Sequence, residues 1–240
     1  MQHDLKIEII HIKMQHNYFN RLESLIGIDK VSKLKDKTVL IIGIGGVGGY
    51  VLESLTRSNV GTIIIVDYDV VDETNINRQI LALTSTIGKK KVDVAEKRIK
   101  DINPNCKVIK YDDFFDKDTK EKILNNDIDF IIDTCDSIAS KKLVINEALN
   151  RNIDFISCMG TANKLDPKMF EIVDIRATKN DPIARIIRKF VKDKKYTQKI
   201  MVLSSKEVPL SNGKILASNS FVPTTAGLLI GNYVINKLIK

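Results

Sequence analysis

The chain has 240 residues, 43% of them apolar, and a formal net charge of +8; this excludes a disordered chain and allows one large domain or a domain with an elaborated end. Three scattered cysteines (Cys106, Cys135, Cys158) exclude a disulfide framework and, with no CxxC pair, a structural zinc ribbon. A reducing cytoplasm is the natural setting, and the basic surplus fits polyanionic partners, nucleic acid before an anionic membrane surface, and ordinary solvated lysines equally well.

The start carries His3, Asp4, Lys6 and Glu8, unlike a signal or transit peptide. MQH occurs at both 1–3 and 14–16, so residues 1–16 read as an N-terminal extension, with Met14 an alternative start. Residues 17–240 then form the main domain. TVLIIG (38–43) is a buried strand with a helix after it over 47–58, and TIIIVD (62–67) is a second strand ending on an acid. An amphipathic helix spans 90–103 and stops at Pro104. KVIKYD (107–112), a helix over 119–126, DFIIDT (129–134), a helix over 141–152 and DFISCMG (154–160) continue the alternation. It implies an α/β fold: a Rossmann-like, doubly wound, mostly parallel sheet with a C-terminal extension. Gly43, Asp67, Asp133 and Gly160 end their strands, where such folds hold ligands.

The last third changes character. MFEIVDI (169–175) precedes a helix opened by Asp181 as cap and Pro182 in its first turn. Ile183, Ile186, Ile187, Phe190 and Val191 should form its apolar face, and Arg185, Arg188, Lys189 and Lys192 the other. Lys194, Lys195 and Lys199 extend a charge cluster that suits a phosphate backbone better than an idle solvated face. IMVLSS (200–205), a turn at 211–213, ILAS (215–218) and a C-terminal apolar helix entered by Pro-Thr-Thr (223–225) complete the chain. The apolar run 226–239 holds Asn232, Asn236 and Lys237 and falls short of the ~20 residues needed for a transmembrane segment.

Gly43, Gly45 and Gly48 make a GxGxxG between a strand and a helix, with Gly46 inside it. They let backbone amides and a helix N-terminus approach a phosphate, and Asp67 can accept from a ribose diol. These residues alone favour an NAD-type oxidoreductase. The stretch beyond Asp67 points instead to a triphosphate: Asp69, Asn75, Arg78 and Gln79 lie just past the second strand, and Lys91 supplies another cation. Asp136 is a single carboxylate of the kind that holds Mg²⁺ together with phosphate oxygens and waters, or else a helix cap. Arg78 and Lys91 would otherwise be plain surface residues.

GIGGVG, DYD, NINRQ, Lys91 and DTCD together resemble the ThiF/MoeB/HesA superfamily of adenylating enzymes related to the ubiquitin activators. The resemblance runs from about Tyr18 to the C-terminus. It implies that Gly43, Gly45, Gly46, Gly48, Asp67, Asp69, Asn75, Arg78, Gln79 and Lys91 bind ATP, and that Asp136 binds Mg²⁺. It further implies a homodimer in which Arg21, in NYFNRLESLIG, enters the partner's ATP site, so that Arg21, Arg78, Lys91 and Asp136 carry catalysis. ISCMGTANKLDP, the Asp-Pro helix start and NSFVPTTAGLLIG are similar to the branch of tRNA threonylcarbamoyladenosine dehydratases. Ala177-Thr178 departs from a Lys-Thr usual there. That branch implies adenylation of the threonine carboxylate of a modified adenosine next to the anticodon of certain tRNAs (no DNA), then dehydrating cyclisation, a ligase-type reaction releasing pyrophosphate and AMP. The nucleotide half would be about 17–160 and the substrate half about 161–240. The resemblance leaves open a sulfur-transfer protein partner and a peripheral position at the inner membrane face. The alternative is adenylation of the C-terminal glycine of a ubiquitin-like sulfur carrier for thiamin or molybdopterin synthesis. Cys135 and Cys158, in or beside strands, read as small hydrophobes rather than thioester nucleophiles.

Overall fold

The computed structural model describes residues 17–210 and 216–240. The expected N-terminal extension and the turn at 211–213 lie outside the described residues. Among the described residues seven strands form one sheet: β1 Thr38–Ile42, β2 Thr62–Val66, β3 Lys107–Tyr111, β4 Phe130–Asp133, β5 Asp154–Cys158, β6 Phe170–Asp174 and β7 Met201–Ser205. Their order is β3-β2-β1-β4-β5-β7-β6, parallel throughout except for the antiparallel edge pair β6–β7. The helices are α1 Asn20–Ile26, α2 Ile28–Lys35, α3 Gly48–Arg57, α4 Lys91–Ile102, α5 Lys120–Leu124, α6 Ile138–Arg151, α7 Pro182–Asp193 and α8 Phe221–Leu238. The doubly wound reading holds, with strand limits within one or two residues of expectation.

Two apolar layers explain the architecture. Side chains alternate across a strand, so Val39, Ile41, Ile63 and Ile65 face one side, against Val51 and Leu55 of α3, Ala95 and Ile99 of α4, and Ile230 and Val234 of α8. Leu40, Ile42, Ile64 and Val66 face the other, against Ile123 of α5, Val144 and Ile145 of α6, and Ala184 and Ile187 of α7. Both faces of the central strands are therefore covered, which is why they read as unbroken apolar runs. Truncating one such side chain, as in Leu40→Ala, costs about 2–5 kcal/mol.

The apolar face expected of the helix after Asp181 needs correction. On α7 the buried residues are Ala184, Ile187 and Val191, while Ile186 is exposed. Ile186 lies on the solvent side because the helix is held to the sheet by a narrower stripe than five apolar residues suggested. Helices α1 and α2 escaped the reading: α1 buries none of its residues and α2 only Val31 and Leu34, so neither carries a full apolar stripe.

Candidate active site

β1 has β2 on one side and β4 on the other, and the connections leave in opposite directions. The crevice beyond their carboxyl ends is where open α/β sheets hold ligands, and a cleft of about 870 Å³ opens there.

The glycine loop forms its floor. Gly43 has φ +84°, and a Cβ there would meet the Cys135 backbone at 2.9 Å. A Cβ on Gly48 would overlap the Gly43 carbonyl oxygen and approach Thr134 Oγ1 to 2.6 Å. Gly48 does not line the cleft; its small size lets α3 start tight against β1. Gly45 and Gly46 do line it. Among the described residues the amides of Gly45, Gly46 and Val47 have no acceptor, and Val47 provides no side-chain cap to α3. Open amides at a helix N-terminus make an anion cradle.

Asp67 ends β2 and is 7% exposed. Its Oδ2 accepts from the Ile44 amide at 2.8 Å and its Oδ1 from the Asp69 amide at 2.9 Å, which pins the glycine loop to β2. Burial raises its pKa above the usual carboxylate range, against the opposing pull of Lys91 and the two amides. Lys91, 4% exposed, donates to Asp69 Oδ2 at 2.6 Å and lies 4.0 Å from Asp67 Oδ1. Asn75 closes a capping box with Asp72. Gln79 Nε2 lies 3.8 Å from where a Gly45 Cβ would stand. Arg78 is half-buried; its Nη1 donates to the Thr74 carbonyl at 2.8 Å and to Asn77 Oδ1 at 2.9 Å, and its stem lies over Gly46.

Asp136 is exposed and lines the cleft. The helix cap that it could have been is supplied by Ser137, whose side chain accepts from the Ser140 amide at 3.2 Å. Asp136 has no hydrogen-bond or ion-pair partner among the described residues. The charge of Asp69 first, then burial, then the charges of Asp136 and Asp67, hold the Tyr68 phenol above its ordinary pKa, so three carboxylates converge on this wall. No cluster of three or more metal-type side chains occurs among the described residues. Asp136, the one of these three carboxylates without a partner among the described residues, is nevertheless a fitting donor for Mg²⁺, which takes most of its oxygens from phosphates and water.

Of the residues singled out from the sequence, Gly43, Gly45, Gly46, Asp67, Asp69, Asn75, Arg78, Gln79, Lys91 and Asp136 line this one cleft. Arg21 does not: it is exposed on α1. Asp133 and Gly160, both strand-end residues, stay out of it. Asp133 is fully buried and held by Lys141 at 3.0 Å and by Ser157. Gly160 packs against Asp181, and its carbonyl accepts from Lys164. Sequence reasoning missed Tyr68, Phe114, Thr161 and Ala162, and also residues 216–218, which complete the walls. Tyr68 and Phe114 could have been found by their places immediately beyond β2 and β3. Asn163 bonds both ways with Ala217, and Asn77 donates to the Ser218 carbonyl at 3.1 Å, so chain-distant segments close over the cleft.

The cysteines are poor nucleophiles. Burial pushes Cys158 up to about 12 and Cys106 up to about 11. The Cys135 thiol lines the cleft but donates to Asp133 Oδ1 at 3.0 Å, and burial, then that carboxylate, raises its pKa further.

Known proteins are similar to this chain in sequence and fold. A family model described as "ThiF family" matches residues 18–237. The chain is 41% identical over 240 residues to the tRNA threonylcarbamoyladenosine dehydratase of Bacillus subtilis, covering 92% of this chain and 94% of that protein. It is 35% identical over 181 residues to the protein of the same name from Haemophilus influenzae, covering 75% of this chain and 69% of that one. In three dimensions it is similar to the E. coli tRNA N6-threonylcarbamoyladenosine dehydratase in complex with ATP. The TM-score is 0.87 at 28% identity, over 92% of this chain and 93% of that one.

Proposed function

The chain belongs to the ThiF family, and on that footing we propose that it adenylates the threonine carboxylate of threonylcarbamoyladenosine in tRNA and closes the activated acid into a ring. The observation that carries this reading is one cleft joining open amides at a helix N-terminus to Asp67, Arg78, Lys91 and an uncommitted Asp136. A dinucleotide would use the amides and Asp67; a triphosphate also uses the cations. Two similar proteins named as dehydratases cover most of this chain, so the alternative of activating a sulfur-carrier protein is not favoured.

The substrate carboxylate is already ionised at neutral pH, so the first step needs charge management rather than a general base. Arg78 and Lys91 offset the triphosphate's charge while the carboxylate oxygen attacks the α-phosphorus and pyrophosphate leaves. Asp136 would hold Mg²⁺, which supplies further neutralisation of the phosphates. Lys91 donates to Asp69 at 2.6 Å, so binding a phosphate exchanges one anionic partner for another. The Asp67 carboxylate receives the ribose hydroxyls. In the second step a nitrogen of the same modified base attacks the acyl carbon, loses its proton, and AMP leaves with the carboxylate oxygen; the net loss is one water. Intramolecular closure of this kind reaches effective molarities of about 10⁵ M or more, so no enzyme nucleophile is required.

On this reading residues from about 17 to 160 supply the nucleotide side and those from about 161 to 240 the substrate side; Thr161, Ala162 and Leu216–Ser218 of the second half line the same cleft. Arg21, exposed and outside its own cleft, serves the partner's site in a homodimer, and the enzyme works in the cytoplasm. No described helix is long and apolar enough to cross a membrane. The deciding experiment incubates the protein with ATP, Mg²⁺ and tRNA carrying threonylcarbamoyladenosine, then weighs the released nucleosides. Loss of one water, dependent on ATP, is expected; an unchanged nucleoside mass overturns the reading.

A further inference from the structure

A second cavity of about 530 Å³ adjoins the cleft and shares Phe114, Phe115 and Ser140 with it. Its floor is apolar, built from Phe114, Phe115, Leu143 of α6 and Phe190 of α7, and its rim carries Lys117, Lys142 and Lys194. Lys142 Nζ lies 5.7 Å from the centroid of the Phe190 ring. None of these three lysines has an ion-pair partner among the described residues. Asp116 and Asp118 also reach the rim. The Asp116 carboxylate is turned to its own turn, where the Thr119 amide, then that of Asp118, hold its pKa below the usual carboxylate range. The solvent side of α7 continues the positive surface through the exposed Arg185, Lys189 and Lys192.

Resting on the dehydratase reading, we infer that this groove receives an unpaired nucleotide of the substrate RNA loop, its base on the phenylalanines and its phosphates on Lys117, Lys142 and Lys194. Aromatic floors with cationic rims suit single-stranded nucleic acid, because a base is apolar on its faces and anionic at its backbone. Loop nucleotides, already unstacked, are the part of an RNA that proteins grip in this way. The groove is of ligand size, and its wall is continuous with the cleft, so an RNA held there keeps its neighbouring modified adenosine close to the adenylating site. Lys142 then exchanges the Phe190 ring for a phosphate oxygen.

The test uses the full chain with modified tRNA. Phe190→Leu keeps apolar volume and removes the ring; it is expected to raise the KM for tRNA about tenfold, with kcat and the KM for ATP within about twofold. Lys142→Gln with Lys194→Gln, on the surface, keeps the test readable if Phe190→Leu lowers folding. This pair is expected to flatten the salt dependence of RNA binding, measured by fluorescence anisotropy of a labelled anticodon stem-loop without ATP. A tRNA KM unchanged in both variants overturns the inference. So does a rise in the KM for ATP alone, which gives the groove to the adenine of ATP, or a shift in sedimentation equilibrium alone, which gives it to a second copy of the chain. Failure of the wild type to convert the nucleoside would instead strike the proposed activity, while the anisotropy arm still reads the groove.

Discussion

Lys91 and Lys141 are both buried near the start of a helix and both face aspartates, yet they sit in opposite electrostatic situations. Lys141 is 1% exposed and Asp133 0%. Its ammonium donates to Asp133 Oδ2 at 3.0 Å and to the Cys158 carbonyl at 2.7 Å, with Ser157 completing the set. Burial works against the charge of Lys141, but Asp133, together with Cys135 and Cys158, outweighs it and raises the pKa. Lys91 is nearly as buried, but its main partner, Asp69, has a side chain 46% exposed at the cleft. A sealed pair ties β4, β5 and α6 together; an open pair can change partners when a phosphate arrives. Burial of a charge therefore does not distinguish scaffold from site; the accessibility of its partner does.

That contrast can be broken most severely at Lys141. Lys141→Met leaves Asp133 in the core without its counter-charge, and breaking a buried pair costs about 3–5 kcal/mol. Chemical denaturation should show that loss, with much of it recovered when Asp133→Leu is added. A neutral result for the single change would erase the distinction between the two lysines.

Lys91→Ala should do the reverse, lowering the rate of cyclisation about 10²–10³-fold while the midpoint of unfolding moves little. Arg78→Ala and Asp136→Ala are expected to match it. If all three variants turn over normally, the charge-management mechanism is wrong. The homodimer proposed above, with Arg21 serving the other subunit's site, sharpens the same point. Mixing Arg21→Ala with Arg78→Ala subunits, each inactive alone, should restore about a quarter of wild-type activity, because half the dimers are mixed and each has one intact site. No restoration would place Arg21 outside catalysis.

The smallest effect concerns the thiols. Cys158 has a folded-state pKa raised to about 12, above the ~8.5 of a free thiol. Its contribution to stability is thus complete below the free-thiol value and is lost as pH rises through about 12. At pH 8, maleimide should label native Cys158 and Cys106 far more slowly than the unfolded chain, read by intact mass. Substituting Cys135 and Cys158 together with serine should keep turnover.

Much of the site was legible because its residues follow the sheet. Gly43, Asp67, Lys91 and Asp136 sit at strand ends or helix starts, where strand length and order place them at one crevice. Gly48 was legible as a glycine but not in its reason, since the contact that demands it is with Gly43 and Thr134. Residues 216–218 were not legible, because they reach the cleft only through pairing with Asn163 and Asn77. Phe190 read as one member of an apolar stripe, whereas it also lines a groove that α6 and the segment after β3 complete.

The alternation of apolar strands and helices determined the doubly wound sheet by itself, since local periodicity dictates which faces must be buried. It also fixed which residues end the strands. Tertiary structure alone decided which of those ends are open and which are sealed, as with Asp67 and Asp133. That outcome depends on neighbours distant in the chain, Lys141 and Ser157 closing one end and the glycine loop leaving the other exposed to a ligand.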